Sequence, residues 1–233
     1  MRRRVFIAAA LLAAAPALVP ALVPALAQPV TKDGGGGAWT SLSSLSAWRG
    51  YKQEAVPAEW TQVNASTFEK TKGTEDLVTR DQYGDFDLEL DWKLSPGGNA
   101  GIFYRATEEG DKVYWTGPEY QLLDDARHPD GKNRLTSAGS DYGLYAPPAG
   151  VVKPAGEWNH TRIVARGAHV QHWLNGQKVV EYDLWSPDWE AKVKASKFAE
   201  WPGFGRAKRG HIGIQGDHTG SLVIRNARIR ELP

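Results

Sequence analysis

Between Asp85 and Leu94 the chain alternates without a break. Phe86, Leu88, Leu90, Trp92 and Leu94 take one parity, and Asp85, Asp87, Glu89, Asp91 and Lys93 take the other. Successive side chains of a strand point to opposite faces, so this run reads as a half-buried strand of an antiparallel sheet with one wet face. A helix would scatter the same apolar residues around its circumference. The fold must therefore pack a layer against one side of this sheet and leave the other side polar.

The rest of the chain uses the same grammar. Asn175-Gly176 divides Val170–Leu174 from Lys178–Tyr182, and because both turn residues tolerate positive φ the spacing predicts a hairpin, preceded by a strand over His160–Arg166. Ser95-Pro-Gly-Gly98 is turn material ahead of the β-formers Gly101–Arg105, and Thr116-Gly-Pro118 precedes a strand over Glu119–Asp124. Short strand-like pieces surround Trp39, Trp48, Tyr51 and Trp60, and Asp76–Thr79 adds another. Near the end, His211–Gln215 and Ser221–Ile229 are joined by the turn Gly216–Gly220. Only Ser186–Lys197 reads as a helix, with serine as N-cap, proline in the first turn, acids early and lysines late. It connects strands and carries no expected chemistry. About a dozen short strands with one peripheral helix predict an all-β, two-sheet sandwich of jelly-roll type.

The N-terminus belongs to a different class of segment. Arg2-Arg-Arg4, an apolar run and Ala25-Leu-Ala27 form the n-region, h-region and cleavage site of an export signal over residues 1–27. Pro16, Pro20 and Pro24 recur every four residues and argue against a retained membrane helix, so no stable membrane anchor is expected. The paired arginines also fit twin-arginine export, and the route stays open between that and Sec. Residues 28–37, ending in four glycines, are a flexible leader, and 38–233 form one β-sandwich domain. The expected location is periplasmic or secreted. Loss of the signal removes three arginines and no acid, taking the formal charge from +1 to −2, so nothing steers the chain toward nucleic acid. The chain has no cysteine, which excludes disulfides, thiol catalysis and cysteine-ligated metals. Ten tryptophans and eight tyrosines exceed the usual needs of a core this size and hint at faces for stacking sugar rings.

Candidate site residues follow from parity. Asn99 and Arg105 share one face of their strand, and Glu119 and Gln121 share one face of the next. An acid, two amides and a guanidinium on adjacent strands form the donor and acceptor set that a sugar demands, although a solvated sheet face has the same composition. Glu89, Asp91 and Lys93 are expected beside Arg105 and Glu119 on a shared polar face. The aperiodic stretch from Asp125 to Gly150, with His128, Asp130, Asn133, Arg134 and Tyr145, reads either as a lid or as cover for a sheet edge. His172 has the parity of Val170 and Leu174, the position of a core histidine, while Trp173 faces the other way with Gln171. Gln215, Asp217 and His218 meet at a strand end.

Five stretches, N-A-G-I-F-Y-R (99–105), G-P-E-Y-Q-L-L-D-D (117–125), E-W-N-H-T-R-I-V-A-R-G (157–167), H-W-L-N-G (172–176) and G-H-I-G-I-Q-G-D-H-T-G (210–220) with I-R-N-A-R-I (224–229), resemble the 3-keto-disaccharide hydrolase domain family across the mature chain. The resemblance implies a concanavalin A-like lectin/glucanase sandwich and a glycosidic-bond-cleaving hydrolase or lyase acting on sugars with a ketone at C3. That ketone acidifies the C2 proton, so a base forms an enolate, the C1 aglycone is eliminated, and water adds to the enone to give net hydrolysis. Carried onto this sequence, the resemblance matches Asn99, Arg105, Glu119, Gln121, Asp124, His172 and Gln215-Gly-Asp-His218 to family motifs. We expect His172 or His218 to be the base, Glu119 to serve as base, acid or metal ligand, and Asn99, Arg105, Gln121, Asp124, Trp173 and Gln215 to bind substrate. A divalent cation held by Glu119, Asp124 and histidines is a further implied option, with no metal ligand fixed. This chain departs from the family turn Gln-Asp-His-Gly by interposing Gly216 and Thr219, which shifts Asp217 and His218. Two other readings stand beside it. One is a conventional glycoside hydrolase with Asp91 and Glu119 as its carboxylate pair; the other is a non-catalytic carbohydrate-binding domain resting on Trp173 and Arg105. Oligomeric state is unspecified.

Overall fold

The computed structural model describes residues 36–233. The export signal read at 1–27 and most of the leader at 28–37 lie outside the described residues. Along the chain the strands are β1 (Thr40–Ser41), β2 (Trp48–Gly50), β3 (Trp60–Asn64), β4 (Thr67–Lys70), β5 (Leu77–Thr79), β6 (Phe86–Leu94), β7 (Asn99–Ala106), β8 (Glu119–Leu123), β9 (Asn159–Arg166), β10 (His169–Leu174), β11 (Gln177–Asp183), β12 (His211–Ile214) and β13 (Leu222–Glu231). The single α-helix is α1 (Pro187–Lys194).

These strands form two antiparallel sheets. The larger has the order β11-β10-β9-β6-β13-β4-β3, with β1 paired to β13; the smaller has the order β2-β5-β12-β7-β8. This is the expected all-β sandwich. The alternating run is β6, and Phe86, Leu88, Leu90, Trp92 and Leu94 are all buried in one core with Ala100, Ile102 and Tyr104 of β7 and Tyr120 and Leu122 of β8. Burying each such side chain contributes about 1.5–3 kcal/mol, and in a chain without disulfides that packing carries the fold. Because β6 turns its apolar side inward, Asp87, Glu89 and Asp91 lie on the outer face of the larger sheet. Glu119 flanks the core residue Tyr120 on the smaller sheet and so points outward on the opposite side of the sandwich. The shared polar face expected for Glu89, Asp91, Lys93, Arg105 and Glu119 is therefore not formed.

Within the smaller sheet, β7 pairs with β8 through Asn99↔Leu123, Gly101↔Gln121 and Phe103↔Glu119. Its other neighbour is β12, where the register shifts between His211↔Ala106 and Gly213↔Phe103. Arg105 sits at this bulge with φ +51°. An extra residue resets the alternation. Ala106 therefore joins Phe103 in a small outer cluster with Tyr51, Val78 and Val113, and Arg105 leaves the face of Asn99.

The long Asp125–Gly150 segment runs along the free edge of β8. Gln121 N–H donates to Ser140 O at 3.2 Å, Gly139 N–H to Gln121 O at 2.9 Å, and Tyr142 N–H to Glu119 O at 2.9 Å. The helix signal is met by α1, with Ser186 Oγ accepting from Trp189 N–H at 3.2 Å. It stops at Lys194, and Lys197 opens a separate 3-10 turn, Lys197–Glu200. Among the described residues no helix is long and apolar enough to cross a membrane.

Candidate active site

A cavity of about 380 Å³ opens on the outer side of the smaller sheet, within the size range of small-molecule sites. Asn99, Glu119, Gln121 and Gln215 form its floor, and Tyr114, Asp130, Tyr142, Lys197, Trp201, Asp217 and His218 its walls. Strand geometry sets the floor. Asn99 opens β7, Glu119 and Gln121 share a face of β8, and Gln215 follows β12 with its N–H bonded to Gly101 O at 2.9 Å.

Gly101 makes the arrangement possible. A Cβ at that position would stand 2.1 Å from Glu119 Oε1, so the glutamate carboxyl occupies the space that any other residue would fill. Glu119 is 8% exposed, and burial raises its pKa to about 8 against the opposing pull of Lys197. At neutral pH the group is mostly a carboxylic acid. The oxygens of Asn99, Gln121 and Gln215 are buried without a hydrogen-bond partner, and Gln121 is anchored only by its Nε2, which donates to Thr136 O at 3.2 Å. Buried amide oxygens left unpaired cost about 1–3 kcal/mol each. The three side chains line one cavity with a protonated acid, a set of amide and carboxyl groups suited to hydroxyl-bearing ligands.

His218 is half-buried at the rim, and burial lowers its pKa below the ordinary histidine value, with Asp217 opposing. Its Nε2 lies 3.8 Å from Asp217 Oδ1. A neutral imidazole and a neutral carboxyl thus face one space, which is the division of labour between a base and an acid. One wall is aromatic. Trp201 stacks on Trp115 with ring centroids 5.9 Å apart, and Tyr114 meets Trp201 edge-on at 5.4 Å. Lys197 Nζ stands 4.5 Å above the Tyr142 ring.

The structure brings Asn99, Glu119, Gln121, Gln215 and His218 to this cavity and leaves four other sequence candidates outside it. His172 is fully buried between the sheets, where Tyr104 Oη and Gly139 O lie 3.2 Å from its two ring nitrogens and burial lowers its pKa to about 4. Its parity with Val170 and Leu174 wins over the catalytic reading. Arg105 is turned away by the bulge and is consumed by Gly84 O, Gly167 O and Asp85 Oδ1 at 2.9, 2.8 and 3.0 Å. Asp124 closes the Ser95–Gly98 turn by accepting from Gly97 N–H at 2.8 Å. Trp173 lies on β10 of the larger sheet, its Nε1 donating to Gln171 Oε1 at 3.1 Å.

The same geometry removes the supports of two readings. Asp91 and Glu119 stand on opposite outer faces, so they are not a catalytic carboxylate pair. Arg105 and Trp173 do not share a face that could serve as a lectin site. Glu119 and His218 share the cavity but Asp124 and His172 do not join them, and among the described residues no three His, Cys, Asp or Glu side chains are grouped to hold a metal ion.

The sequence pattern does not single out Tyr114, Tyr142, Lys197 or Trp201 for the site. The surplus of aromatic residues is the one available signal, and it gives no positions. Lys197 falls in the tail of the expected helix, and the early end of α1 at Lys194 is what frees it.

The profile of the 3-keto-alpha-glucoside-1,2-lyase-like domain family matches residues 38–230. The chain is 35% identical over 220 residues to a Bacteroides thetaiotaomicron protein named 3-keto-disaccharide hydrolase, covering 81% of this chain and 76% of that protein. It is 28% identical, with a TM-score of 0.77, to a crystal structure described as a candidate glycosyl hydrolase from Parabacteroides distasonis, over 84% of this chain and 94% of the other. A Bacillus subtilis protein of galectin-like fold superposes with a TM-score of 0.54 at 12% identity, over 86% of this chain and 97% of the other, which bears on the fold alone.

Proposed function

The chain belongs to the 3-keto-alpha-glucoside-1,2-lyase-like domain family, and with that as premise we propose that it cleaves glycosides whose C3 hydroxyl has been oxidised to a ketone. The 3-keto-disaccharide hydrolase relative and the glycosyl hydrolase neighbour support the broader class, a carbohydrate-active hydrolase. The observation that carries the finer reading is Glu119, an acid kept mostly protonated at neutral pH in a cavity lined by three amides whose oxygens have no partner among the described residues.

In this reading the neutral His218 imidazole removes the C2 proton, and the C–H electrons become the C2–C3 double bond of an enolate with its charge on the C3 oxygen. The Lys197 ammonium stabilises that oxygen, and the amide side chains of Asn99, Gln121 and Gln215 hold the remaining hydroxyls. The enolate collapses, the C1–O bond breaks, and Glu119 gives its proton to the departing oxygen. Water then adds across C1 and C2 of the enone. Glu119, now a carboxylate, takes the water proton as oxygen bonds to C1, and protonated His218 returns a proton to C2. The sum is glycoside plus water giving keto-sugar plus alcohol, with both side chains restored. The aromatic wall offers a ring face to the sugar or its leaving group. No step requires a metal. The export signal read in residues 1–27 supports a periplasmic or secreted setting.

The test is turnover of a 3-keto-glucoside and of its unoxidised parent in deuterated water. Cleavage of the keto-sugar alone, with deuterium at C2 of the product, is expected. Cleavage of the unoxidised parent at a comparable rate would overturn the elimination mechanism, because that sugar has no acidic C2 proton.

A further inference from the structure

Lys70, the last residue of β4, is 1% exposed and forms no salt bridge among the described residues. Its ammonium donates instead to two backbone carbonyls, His218 O at 2.6 Å and Gly220 O at 3.4 Å. Burying an ammonium costs several kcal/mol, offset only in part here by the charges of Asp217 and Asp76, and an apolar side chain of similar length would avoid that cost. Both acceptors lie in one turn, the turn that carries His218. The start of that turn is also fixed. Gly216 N–H donates to Asp76 Oδ1 at 2.7 Å, and Thr74 N–H donates to Gly216 O at 2.9 Å. A Cβ on Gly216 would come within 2.4 Å of Glu75 O, so the turn lies flush against the Thr74–Asp76 segment. Asp217 and His218 are held between these two anchors.

The structure assigns Lys70 as the positioning residue of His218: a buried ammonium that clamps the 216–220 turn through its carbonyls and so aims the imidazole into the cavity of Glu119. This deepens the elimination reading and rests on it for the role of His218. The clamp also explains how a turn that departs from the family spacing by Gly216 and Thr219 still delivers its histidine to the cavity. Lys70 contributes a second effect through charge. The groups that face His218 are Asp217 and Asp130, which favour its protonation, and Lys70 and His128, which oppose it, all added to the effect of burial. Removing the Lys70 charge therefore moves the His218 midpoint upward.

The experiment compares wild type with Lys70→Met, Lys70→Gln and Lys70→Arg by three readouts. These are steady-state kinetics on a 3-keto-glucoside, amide hydrogen exchange over 216–220, and the NMR titration of the His218 ring. In Lys70→Met the exchange at 216–220 should quicken at least about tenfold. The kcat should fall about 10- to 100-fold with KM changed less than about threefold, and the His218 midpoint should rise. Lys70→Gln, which keeps a donor without the charge, should slow exchange again but leave the midpoint raised, and it covers the case in which methionine is not tolerated. Lys70→Arg should recover part of both. Wild-type exchange at 216–220 and an unmoved His218 midpoint in folded Lys70→Met or Lys70→Gln would overturn the assignment. The exchange and titration arms need no substrate, so failure of the keto-glycoside reading is distinguishable from failure of the clamp.

Discussion

On the outer face of the larger sheet, every carboxylate of β6 is answered. Asp87 is gripped by Arg162 Nε at 2.7 Å and Arg230 Nη2 at 2.7 Å, Glu89 by Arg228 Nε at 3.0 Å, and Asp91 by His160, Arg225 and Asn226 at 2.8, 3.1 and 3.0 Å. Its tryptophans are covered as well, Trp158 by Arg225 at 3.9 Å and Trp39 by Arg228 at 4.3 Å. A groove of about 550 Å³ runs along this face beside Trp39, Glu89, Asp91 and Arg228, larger than the cavity on the smaller sheet. In that smaller cavity Glu119 has no ion pair and three amide oxygens have no partner among the described residues. Both faces are rich in acids, amides and aromatic rings. What separates them is satisfaction: one pairs its polar groups with each other, and among the described residues the other leaves an acid and three amide oxygens unpaired.

The sharpest test of this contrast is Glu119→Gln. Cleavage of the keto-glycoside should drop about 10²- to 10⁴-fold, the usual worth of a positioned acid. Stability should change the other way. Because the folded pKa is raised from 4.5 to about 8, the native state holds a proton that the unfolded chain releases, and wild-type stability falls as pH rises through that window. Glu119→Gln removes this loss, so its melting temperature should exceed wild type by a margin that grows from pH 4.5 to 8. The gain should be on the order of 2–3 kcal/mol at pH 7. Equal melting curves at pH 5 and 8 would break the comparison.

Asp87→Ala on the paired face should do the reverse. With two partly exposed arginines left around the place of a carboxylate only 1% exposed, removing it should cost about 3 kcal/mol in chemical denaturation while leaving turnover per folded molecule intact. Gly101→Ala comes next. A methyl group 2.1 Å from Glu119 Oε1 must displace the acid, and kcat should fall about a hundredfold with a smaller change in melting temperature. Last is Arg228→Met, which removes an exposed ion pair and should move stability by less than about 1 kcal/mol and activity not at all. A marked loss of turnover in Arg228→Met or Asp87→Ala would mean that the paired face also takes part in function.

The fold was legible because alternation, turn chemistry and capping are local. Phe86–Leu94 declares its buried side, and Asn175-Gly176 adopts positive φ at both residues as the hairpin requires. The site was legible only as far as strand parity held. Glu119 and Gln121 lie on an unbroken strand and reached one cavity together. Arg105 lies beyond a bulge that no run of residue types announces, and the same parity argument sent it to the wrong face. His172 shows the converse: its parity placed it correctly in the core, and the motif resemblance pointed elsewhere. Lys197 and Trp201 come from one short turn after α1, and its approach to β8 depends on packing between segments distant in sequence. Lys70 reads locally as the polar end of a strand, and only the fold reveals that it is buried.

The Asp125–Gly150 segment gives the hydrogen bonds along the free edge of β8 and also supplies Asp130 and Tyr142 to the cavity wall. Selectivity and solubility are thereby written in one piece of chain. A variant that shortens or redraws this segment to admit a bulkier aglycone also bares the edge of the strand that carries Glu119, and a bare edge recruits strands from other molecules. Changes of substrate in such a protein should therefore come more readily from single side-chain replacements at Tyr114, Lys197 or Trp201 than from exchange of the loop, which would carry self-association as its companion trait.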